Sequence, residues 1–328
     1  MLEWGCQVCY IRLESQEKVE EKGVECNMRE QEGFIPVEGE YRVWYRIVGG
    51  GADHEKIPLL TLHGGPGVGH DYIENLAELA SDTRRVILYD QLGCGRSDQP
   101  DDTSLWRVDR FVEELATIRR ALGLDRVHLL GQSWGGMLAI EYALTQPDGL
   151  VSLILASTLS SMPLWVAEAN RLRNELPPDV QATLERHETA GTTDAPEYQN
   201  AMLVFYERHV IRVVPMPAHV KRSLDQAGQV YFTMNGPSEF HVTGILKDWD
   251  RTDRLSEIRL PTLITSGRHD ESTPRINEVL HKGIVGSEWI IFENSSHMAH
   301  VEEPELYMPT VRSFLERVEA QLKKGRKK

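Results

Sequence analysis

The feature that most constrains the fold of this 328-residue chain is a serine between an apolar run and a helical segment. Residues 127–130 are mostly apolar, residues 131–135 read Gly-Gln-Ser-Trp-Gly, and residues 137–144 read as a helix. A serine on a tight strand-to-helix turn needs glycine on both sides, because a Cβ there would strike the neighbouring strand or helix. Such a turn lifts the hydroxyl above the sheet edge, where the helix N-terminus favours negative charge. We therefore predict that Ser133 is a nucleophile, against the alternative of a chance match in an ordinary βα loop.

The rest of the chain alternates short apolar runs with helical segments. This alternation is typical of an α/β protein with a mostly parallel sheet flanked by helices. We expect a hairpin over residues 34–48, with its turn at 38–40, and then strands followed by a closing helix over 304–322. In such a sheet, functional residues lie at the carboxyl ends of the strands. The predicted strands are residues 57–62, 86–89, 127–130, 150–156, 260–265 and 287–292.

Residues 158–252 interrupt this alternation, because helical patterns dominate there and strand patterns are poor. We predict that they form a helical cap domain inserted into an α/β core made of residues 34–157 and 253–322. Residues 1–33 are polar and charged, and are expected to form a loosely ordered N-terminal extension in which Met28 is an alternative start. Residues 323–328 are expected to be a solvated basic tail.

Composition excludes several classes of protein. The 50 acidic residues exceed the 36 basic ones, giving a net charge of −14, which argues against nucleic acid as a partner. No apolar run approaches the ~20 residues of a membrane span, and no secretory signal is visible, so a cytoplasmic protein without membrane contact is expected. Cys6 and Cys9 form a single Cys-x-x-Cys without nearby histidines, so neither a metal site nor a redox site is predicted. Cys26 and Cys94 are predicted to be free thiols.

A serine nucleophile needs a histidine to take its proton and a carboxylate to orient that histidine. In this topology the chain order is serine, acid, histidine. Asp270 directly follows the run that resumes the sheet, whereas the alternative acid position, after residues 150–156, holds no carboxylate. His297 lies after the last predicted strand, with His300 as the alternative base. We predict a triad of Ser133, Asp270 and His297.

The oxyanion that forms in such a reaction needs two backbone donors. The glycine-rich loop 63–67, His-Gly-Gly-Pro-Gly, lets a backbone N–H approach a substrate closely, although a simple tight turn is the alternative. We predict that the N–H groups of Gly65 and Trp134 form the oxyanion hole. In the next loop, Asp90 and Arg96 are expected to brace the backbone. Neither aspartate nor cysteine occupies the nucleophile position, which argues against dehalogenase and epoxide hydrolase chemistry.

These segments together resemble the prolyl aminopeptidase (proline iminopeptidase) family of the α/β-hydrolase fold, most closely its tricorn-interacting aminopeptidase branch. The resemblance runs from about residue 34 to the closing helix. Gly-x-Ser-x-Gly indicates only the superfamily, whereas His-Gly-Gly-Pro-Gly and the cap segment Asn-Gly-Pro-Ser-Glu-Phe at 235–240 indicate the family. The other matching segments are residues 90–97, 131–136, 247–250 and 267–271.

The resemblance implies an enzyme that removes an N-terminal residue, often proline, from short peptides without a cofactor. It also implies that Glu239 and Glu271 hold the free amino end of the substrate, and charge-assisted hydrogen bonds from an ammonium group give this physical sense. We therefore expect a serine exopeptidase acting on short peptides or aminoacyl amides. An amino-acid amidase or carboxylester hydrolase with the same triad is the alternative, and a binding protein on a hydrolase scaffold would require a broken triad.

Side chains around the pocket are expected to set the choice of first residue. Trp134, directly after the nucleophile, is expected to be a bulky neighbour of the acyl pocket. From the cap, Phe205, Tyr231 and Phe240 are expected to shape its walls.

Overall fold

A computed structural model describes residues 29–51 and 55–325. Most of the predicted N-terminal extension, with Met28 and the thiols of Cys6, Cys9 and Cys26, lies outside these residues. Cys94 is a free, buried thiol, as predicted.

The core is one eight-stranded sheet in the order β1-β2-β4-β3-β5-β6-β7-β8. The first two strands form the predicted hairpin and pair antiparallel, whereas β3 to β8 run parallel. Strands β3, β5, β6 and β7 are buried along their whole length, which agrees with the apolar runs that predicted them. The strands are β1 Glu30–Pro36, β2 Arg42–Gly49, β3 Leu59–Leu62, β4 Arg85–Tyr89, β5 Val127–Gln132, β6 Leu150–Ala156, β7 Thr262–Gly267 and β8 Glu288–Phe292.

Helices flank the sheet and fill the interval between β6 and β7. The α-helices are α1 Val108–Ala121, α2 Trp134–Leu144, α3 Met162–Arg173, α4 Pro178–Ala190, α5 Pro196–His209, α6 Ala218–Leu224, α7 Gln229–Met234, α8 Pro274–Gly283, α9 Ala299–Glu302 and α10 Pro304–Gly325. Short 3-10 helices span Asp71–Leu79, Thr103–Leu105, Ile245–Asp248 and Thr252–Glu257. Among the described residues, no helix is long and apolar enough to cross a bilayer.

The two ends of the core differ from the predicted boundaries. The extension was predicted to reach residue 33, but β1 begins at Glu30 and Gly33 pairs with Tyr45. Its polar residues are compatible with pairing because β1 is the exposed edge strand of the sheet. Likewise, α10 continues to Gly325, through the first residues of the predicted basic tail. Lysines in the last turn of a helix suit its dipole, so a basic composition did not end the helix.

The interval predicted to be all-helical holds five α-helices, α3 to α7. Four of them correspond to the helical patterns that the sequence shows at residues 165–176, 180–187, 197–210 and 217–225. The fifth, α7, is only six residues long and was missed because so short a segment shows too little periodicity.

Candidate active site

Ser133 occupies the sharp turn between β5 and α2. Its φ of 55° and ψ of −124° lie in a region that residues with side chains rarely adopt. Surrounding hydrogen bonds hold this conformation: the Ser133 N–H donates to the Ala156 carbonyl (2.9 Å). In addition, the Ser133 carbonyl accepts from the Gly136 N–H (2.8 Å) and the Thr158 hydroxyl (2.7 Å). The predicted strand-to-helix turn is therefore present.

The glycines around Ser133 are required by close backbone packing. A Cβ on Gly131 would lie 2.1 Å from the Gly135 carbonyl oxygen, and one on Gly135 would lie 2.1 Å from that of Leu62. A Cβ on Gly136 would come within 2.5 Å of the Thr158 side chain. The steric clash of a Cβ, from which the sequence analysis explained these glycines, is therefore present in the fold.

Asp270 and His297 meet at the carboxyl ends of β7 and β8. Asp270 Oδ1 lies 2.7 Å from His297 Nδ1, and the same carboxylate accepts from the N–H groups of Ser272 (2.7 Å) and Gly267 (3.3 Å). An ionised carboxylate only accepts, so Nδ1 carries the donated proton and Nε2 is left to act as a base. Both side chains are buried, which fixes the orientation of the ring.

His297 Nε2 faces the cavity that Ser133 also lines. Within the described part of the chain, no hydrogen bond joins the Ser133 hydroxyl to His297, and Nε2 instead lies 3.7 Å from Glu271 Oε1. Hydrogen bonds between catalytic groups are often long without substrate and shorten when it binds. The geometry brings Ser133 and His297 to one cavity, and Asp270 bonds the Nδ1 side of the histidine ring.

The two predicted oxyanion donors also border this site. Trp134 is the first residue of α2, so its N–H has no acceptor within the helix. Gly65, with a φ of 107°, lines the cavity beside Ser133, and the neighbouring Gly64 is so close that a Cβ would lie 2.9 Å from Ser133 Cβ. In the described chain, the Gly65 N–H has no hydrogen-bond acceptor.

The Trp134 side chain does not lie where it was expected. Its indole is buried, donates to Gln91 Oε1 (2.8 Å) and packs edge-on against Phe111, and it is not part of the cavity wall. The expectation that it restricts the acyl pocket was wrong, because its backbone N–H and its side chain leave the Cα in different directions.

The cavity measures about 340 Å³ and lies between the sheet edge and helices α5 to α7. Tyr231 lines it, as expected, whereas Phe205 and Phe240 do not. These two rings pack against each other with centroids 5.0 Å apart in the interior of the helical region, so that expectation was wrong. Helix α5 and the residue that caps its C-terminus instead contribute a stripe of wall residues at helical spacing, Gln199, Met202, Tyr206 and Val210.

The stripe that lines the cavity was not predicted from the sequence. A second stripe on α5, Tyr198, Ala201 and Phe205, is buried in the helical region. Both stripes have helical spacing, and sequence alone does not say which of them faces a cavity.

Glu239 and Glu271 both line the cavity. Tyr231 donates its hydroxyl proton to Glu239 Oε1 (2.6 Å), whereas Glu271 Oε2 is buried without a hydrogen-bond partner in the described chain. Burial raises the pKa of Glu239, opposed by the Tyr231 hydroxyl and by His297. Burial, together with the charges of Glu239 and Asp270, raises the pKa of Glu271 well above its usual range. Since no lysine or arginine is among the described wall residues, a cation from outside would suit this pair.

The structure also places the alternative base and the loop carboxylate. His300, the alternative base, is turned away from the triad: its Nε2 donates to the Tyr72 carbonyl (3.1 Å), and burial lowers its pKa to about 4. Asp90 braces its loop, accepting from the backbone N–H groups of His70 (2.8 Å) and Arg96 (2.9 Å).

Comparison with known proteins gives concordant matches. Residues 57–304 match the family model of the α/β-hydrolase fold. The proline iminopeptidase of Saccharolobus solfataricus is 44% identical over 302 residues, covering 90% of this chain and 95% of that protein. The proline iminopeptidase of Heyndrickxia coagulans is 47% identical over 289 residues, covering 87% and 98%. The crystal structure of a proline iminopeptidase from Mycobacterium smegmatis aligns with a TM-score of 0.82 at 41% identity, covering 89% of this chain and 100% of that one.

Proposed function

The chain belongs to the α/β-hydrolase fold family and, within it, to the proline iminopeptidases, and from that premise we propose a serine exopeptidase that releases an N-terminal residue, preferably proline, from short peptides. The predicted family and fold class are confirmed, and the chain is a hydrolase of the peptidase type. The triad, the acyl-enzyme and the substrate preference are the parts that we propose.

In the first half of the reaction, Ser133 Oγ forms a bond to the carbonyl carbon of the first residue and His297 Nε2 takes the hydroxyl proton. Asp270 stabilises the resulting imidazolium. The N–H groups of Gly65 and Trp134 bind the oxyanion of the tetrahedral intermediate. When the carbon–nitrogen bond breaks, His297 gives its proton to the leaving amine, and an ester between Ser133 and the first residue remains.

In the second half, water attacks that ester and His297 takes a proton from it. The bond to Ser133 Oγ then breaks, the proton returns to Ser133, and the free amino acid leaves. No group beyond these side chains and water is required to balance the steps.

The observation that carries the exopeptidase proposal is the unpaired carboxylate of Glu271 inside the cavity. An ammonium or iminium group placed between Glu271 and Glu239 would neutralise two buried acids and supply the missing donor. Because Glu271 Oε1 lies 3.7 Å from His297 Nε2, the bound amine would lie one residue from the scissile carbonyl. The enzyme would therefore cut only after the first residue.

The helical region supports selection of a small first residue. We propose that residues 158–252 act as a cap, with α5 to α7 covering the triad. The surface of these helices in the cavity is largely apolar, with Met202, Tyr206 and Tyr231 among its residues. A pyrrolidine ring suits such a wall, since it buries apolar surface without an unpaired polar group.

The test is hydrolysis of Pro-β-naphthylamide, Ala-β-naphthylamide, N-acetyl-Pro-β-naphthylamide and the neutral ester p-nitrophenyl acetate, with Ser133→Ala as the control. We expect the Pro substrate to have the highest kcat/KM among the naphthylamides, the acetylated one to be inert, and all turnover to be lost in Ser133→Ala. Equal rates for the free and acetylated Pro substrates would reject the amine site. Preference for the ester over both free amides would favour an esterase.

A further inference from the structure

A buried tyrosine connects the loops that carry the proposed catalytic groups. Tyr72 lies in the 3-10 helix Asp71–Leu79, which follows the oxyanion loop, and it is 2% exposed. Its hydroxyl accepts from the Gly64 N–H (2.6 Å) and donates to Gln132 Oε1. Gly64 precedes the oxyanion donor Gly65, and Gln132 precedes the nucleophile. One hydroxyl therefore joins the oxyanion loop to the nucleophile turn.

The connection continues to the histidine loop. Gln132 is also 2% exposed, and its Nε2 donates to the backbone carbonyl of His297 (3.1 Å). The Gln132 amide thus has both its acceptor and one donor used within the site. Through Tyr72 and Gln132, the segments bearing Gly65, Ser133 and His297 share one continuous set of hydrogen bonds.

The backbone of Tyr72 extends this set to the cap and to the start of α9. Its N–H donates to Ser223 Oγ on α6 (2.9 Å), and its carbonyl accepts from His300 Nε2 (3.1 Å). Since Ser223 is fully buried, this bond lies inside the contact between α6 and the 3-10 helix.

We propose that Tyr72 and Gln132 are positioning residues that set the distances among the Gly65 N–H, the Ser133 hydroxyl and the His297 ring. The proposal rests on the Ser133 acyl chemistry of the proposed function, and not on its amine site. An oxyanion donor acts only when it lies within hydrogen-bond distance of the developing charge, so small shifts of its loop lower the rate. Burial raises the pKa of Tyr72, which keeps the hydroxyl protonated and able to donate at working pH.

Tyr72→Phe tests this role, because it keeps the ring and removes only the hydroxyl. We expect kcat to fall about 10- to 100-fold on both Pro-β-naphthylamide and p-nitrophenyl acetate, less than for outright loss of an oxyanion donor, with KM within twofold. Affinity for pyrrolidine-2-boronic acid, which forms a tetrahedral adduct with a serine, should fall by a similar factor. If Tyr72 only stabilised the fold, Tyr72→Phe would not lower kcat and the affinity for this analogue while leaving KM unchanged.

Tyr307→Phe is the matched control. Tyr307 is also buried and packs on His300, with ring centroids 5.9 Å apart, but in the described chain no hydrogen bond joins it to Gly64, Gln132 or His297. We expect kcat within twofold of the wild type. Equal losses in Tyr72→Phe and Tyr307→Phe, or kcat within twofold in Tyr72→Phe, would overturn the proposal.

A double-mutant cycle tests whether the two residues act as one unit. If they do, Tyr72→Phe combined with Gln132→Leu should cost little more than the worse single change, because the shared bonds are already broken. Multiplicative losses would reject the coupling. The kcat losses of all three variants are also measured on p-nitrophenyl acetate. If the enzyme failed to hydrolyse Pro-β-naphthylamide alone, that would count against the substrate preference and would not affect this test.

Discussion

The two ends of the cavity differ in how completely their charges are paired. At the triad end, Asp270 accepts from His297 Nδ1 and from two backbone N–H groups. At the carboxylate end, formed by Glu239 and Glu271, the Glu271 Oε2 atom has no partner in the described chain. Asp270 and Glu271 are neighbours in sequence and each is about 1% exposed, so burial does not explain the contrast.

Under the proposed function, the contrast separates a catalytic end from an amine-binding end. The end that holds the proposed triad has its orienting hydrogen bonds before any substrate arrives, which is the preorganisation that catalysis needs. The carboxylate end holds two buried acids without a cation, an arrangement that costs free energy until a positive group binds. Changes at the triad end should therefore slow every acyl substrate, whereas changes at the carboxylate end should affect only substrates with a free amine.

The largest effect is expected for Asp270→Asn. The amide cannot stabilise the imidazolium and favours the wrong tautomer of His297, so kcat should fall by about 10³- to 10⁴-fold. The loss should be similar for Pro-β-naphthylamide and for p-nitrophenyl acetate, measured by steady-state kinetics. If only Pro-β-naphthylamide turnover fell, changes at the triad end would not slow every acyl substrate, and the proposed difference between the two ends of the cavity would be wrong.

A smaller and selective effect is expected for Glu271→Gln, which keeps the shape and removes the charge. Loss of a charge-assisted hydrogen bond should lower kcat/KM for Pro-β-naphthylamide about 10- to 100-fold. Turnover of the neutral ester should stay within threefold.

The control for that change is Glu168→Gln. Glu168 is a buried acid that bonds Thr273 and Arg275 outside the cavity. Its variant should keep the wild-type ratio of amide to ester turnover. If Glu168→Gln lowered this ratio as much as Glu271→Gln does, the amine site would be refuted.

Glu239→Gln should have a weaker effect than Glu271→Gln. Glu239 Oε1 already accepts from the Tyr231 hydroxyl, so one of its oxygens is partly occupied. We expect about a tenfold loss of kcat/KM on Pro-β-naphthylamide, with the ester again little changed. A loss larger than that for Glu271→Gln would reverse the assigned ranking of the two acids.

The smallest effect concerns stability and its pH dependence. Because the folded state raises the pKa of Glu271 above the usual 4.5, the folded protein binds this proton more tightly than the unfolded chain does. The resulting stabilisation is complete below pH 4.5 and is lost as pH rises through the folded pKa. Glu271→Gln, which is neutral throughout, should therefore gain in Tm relative to the wild type as pH rises.

The measurement is thermal unfolding of both proteins without ligand at pH 5 and pH 8. We expect the Tm advantage of Glu271→Gln to be about 2–4 °C larger at pH 8 than at pH 5. A constant difference between the two pH values would mean that Glu271 is not a strained acid in the free enzyme.

Much of the site could be predicted from the sequence because the core obeys local rules. Gly131 is dictated by a close approach to the Gly135 carbonyl within the same turn, and apolar runs define strands that are buried on both faces. Asp270 and His297 each follow a predicted strand, so both were expected at the carboxyl edge of the sheet. Such signals can be detected in the sequence because the period of each element and its turn residues are local properties.

The proposed cap, residues 158–252, was harder to predict for the opposite reason. Phe205 and Phe240 are as apolar as the residues of the cavity wall, yet they pack against each other inside the helical region. Which helical stripe faces a cavity depends on how helices are docked, and that depends on the sum of many weak contacts. The edges of the core were misplaced by a few residues because polar composition is tolerated both on an edge strand and at a helix end.

By itself, the sequence determined the fold class and the order of the groups proposed to carry the chemistry, because a strand, a sharp glycine turn and a helix are each specified by nearby residues. The tertiary structure alone decided that Glu271 is left without a partner beside the fully bonded Asp270, and that Tyr72 lies between three loops. Those facts depend on which groups meet when separate parts of the chain are brought together, as Tyr72 and Gln132 are across 60 positions. Hydrogen bonds between residues distant in sequence form only at that meeting, so no local pattern encodes them.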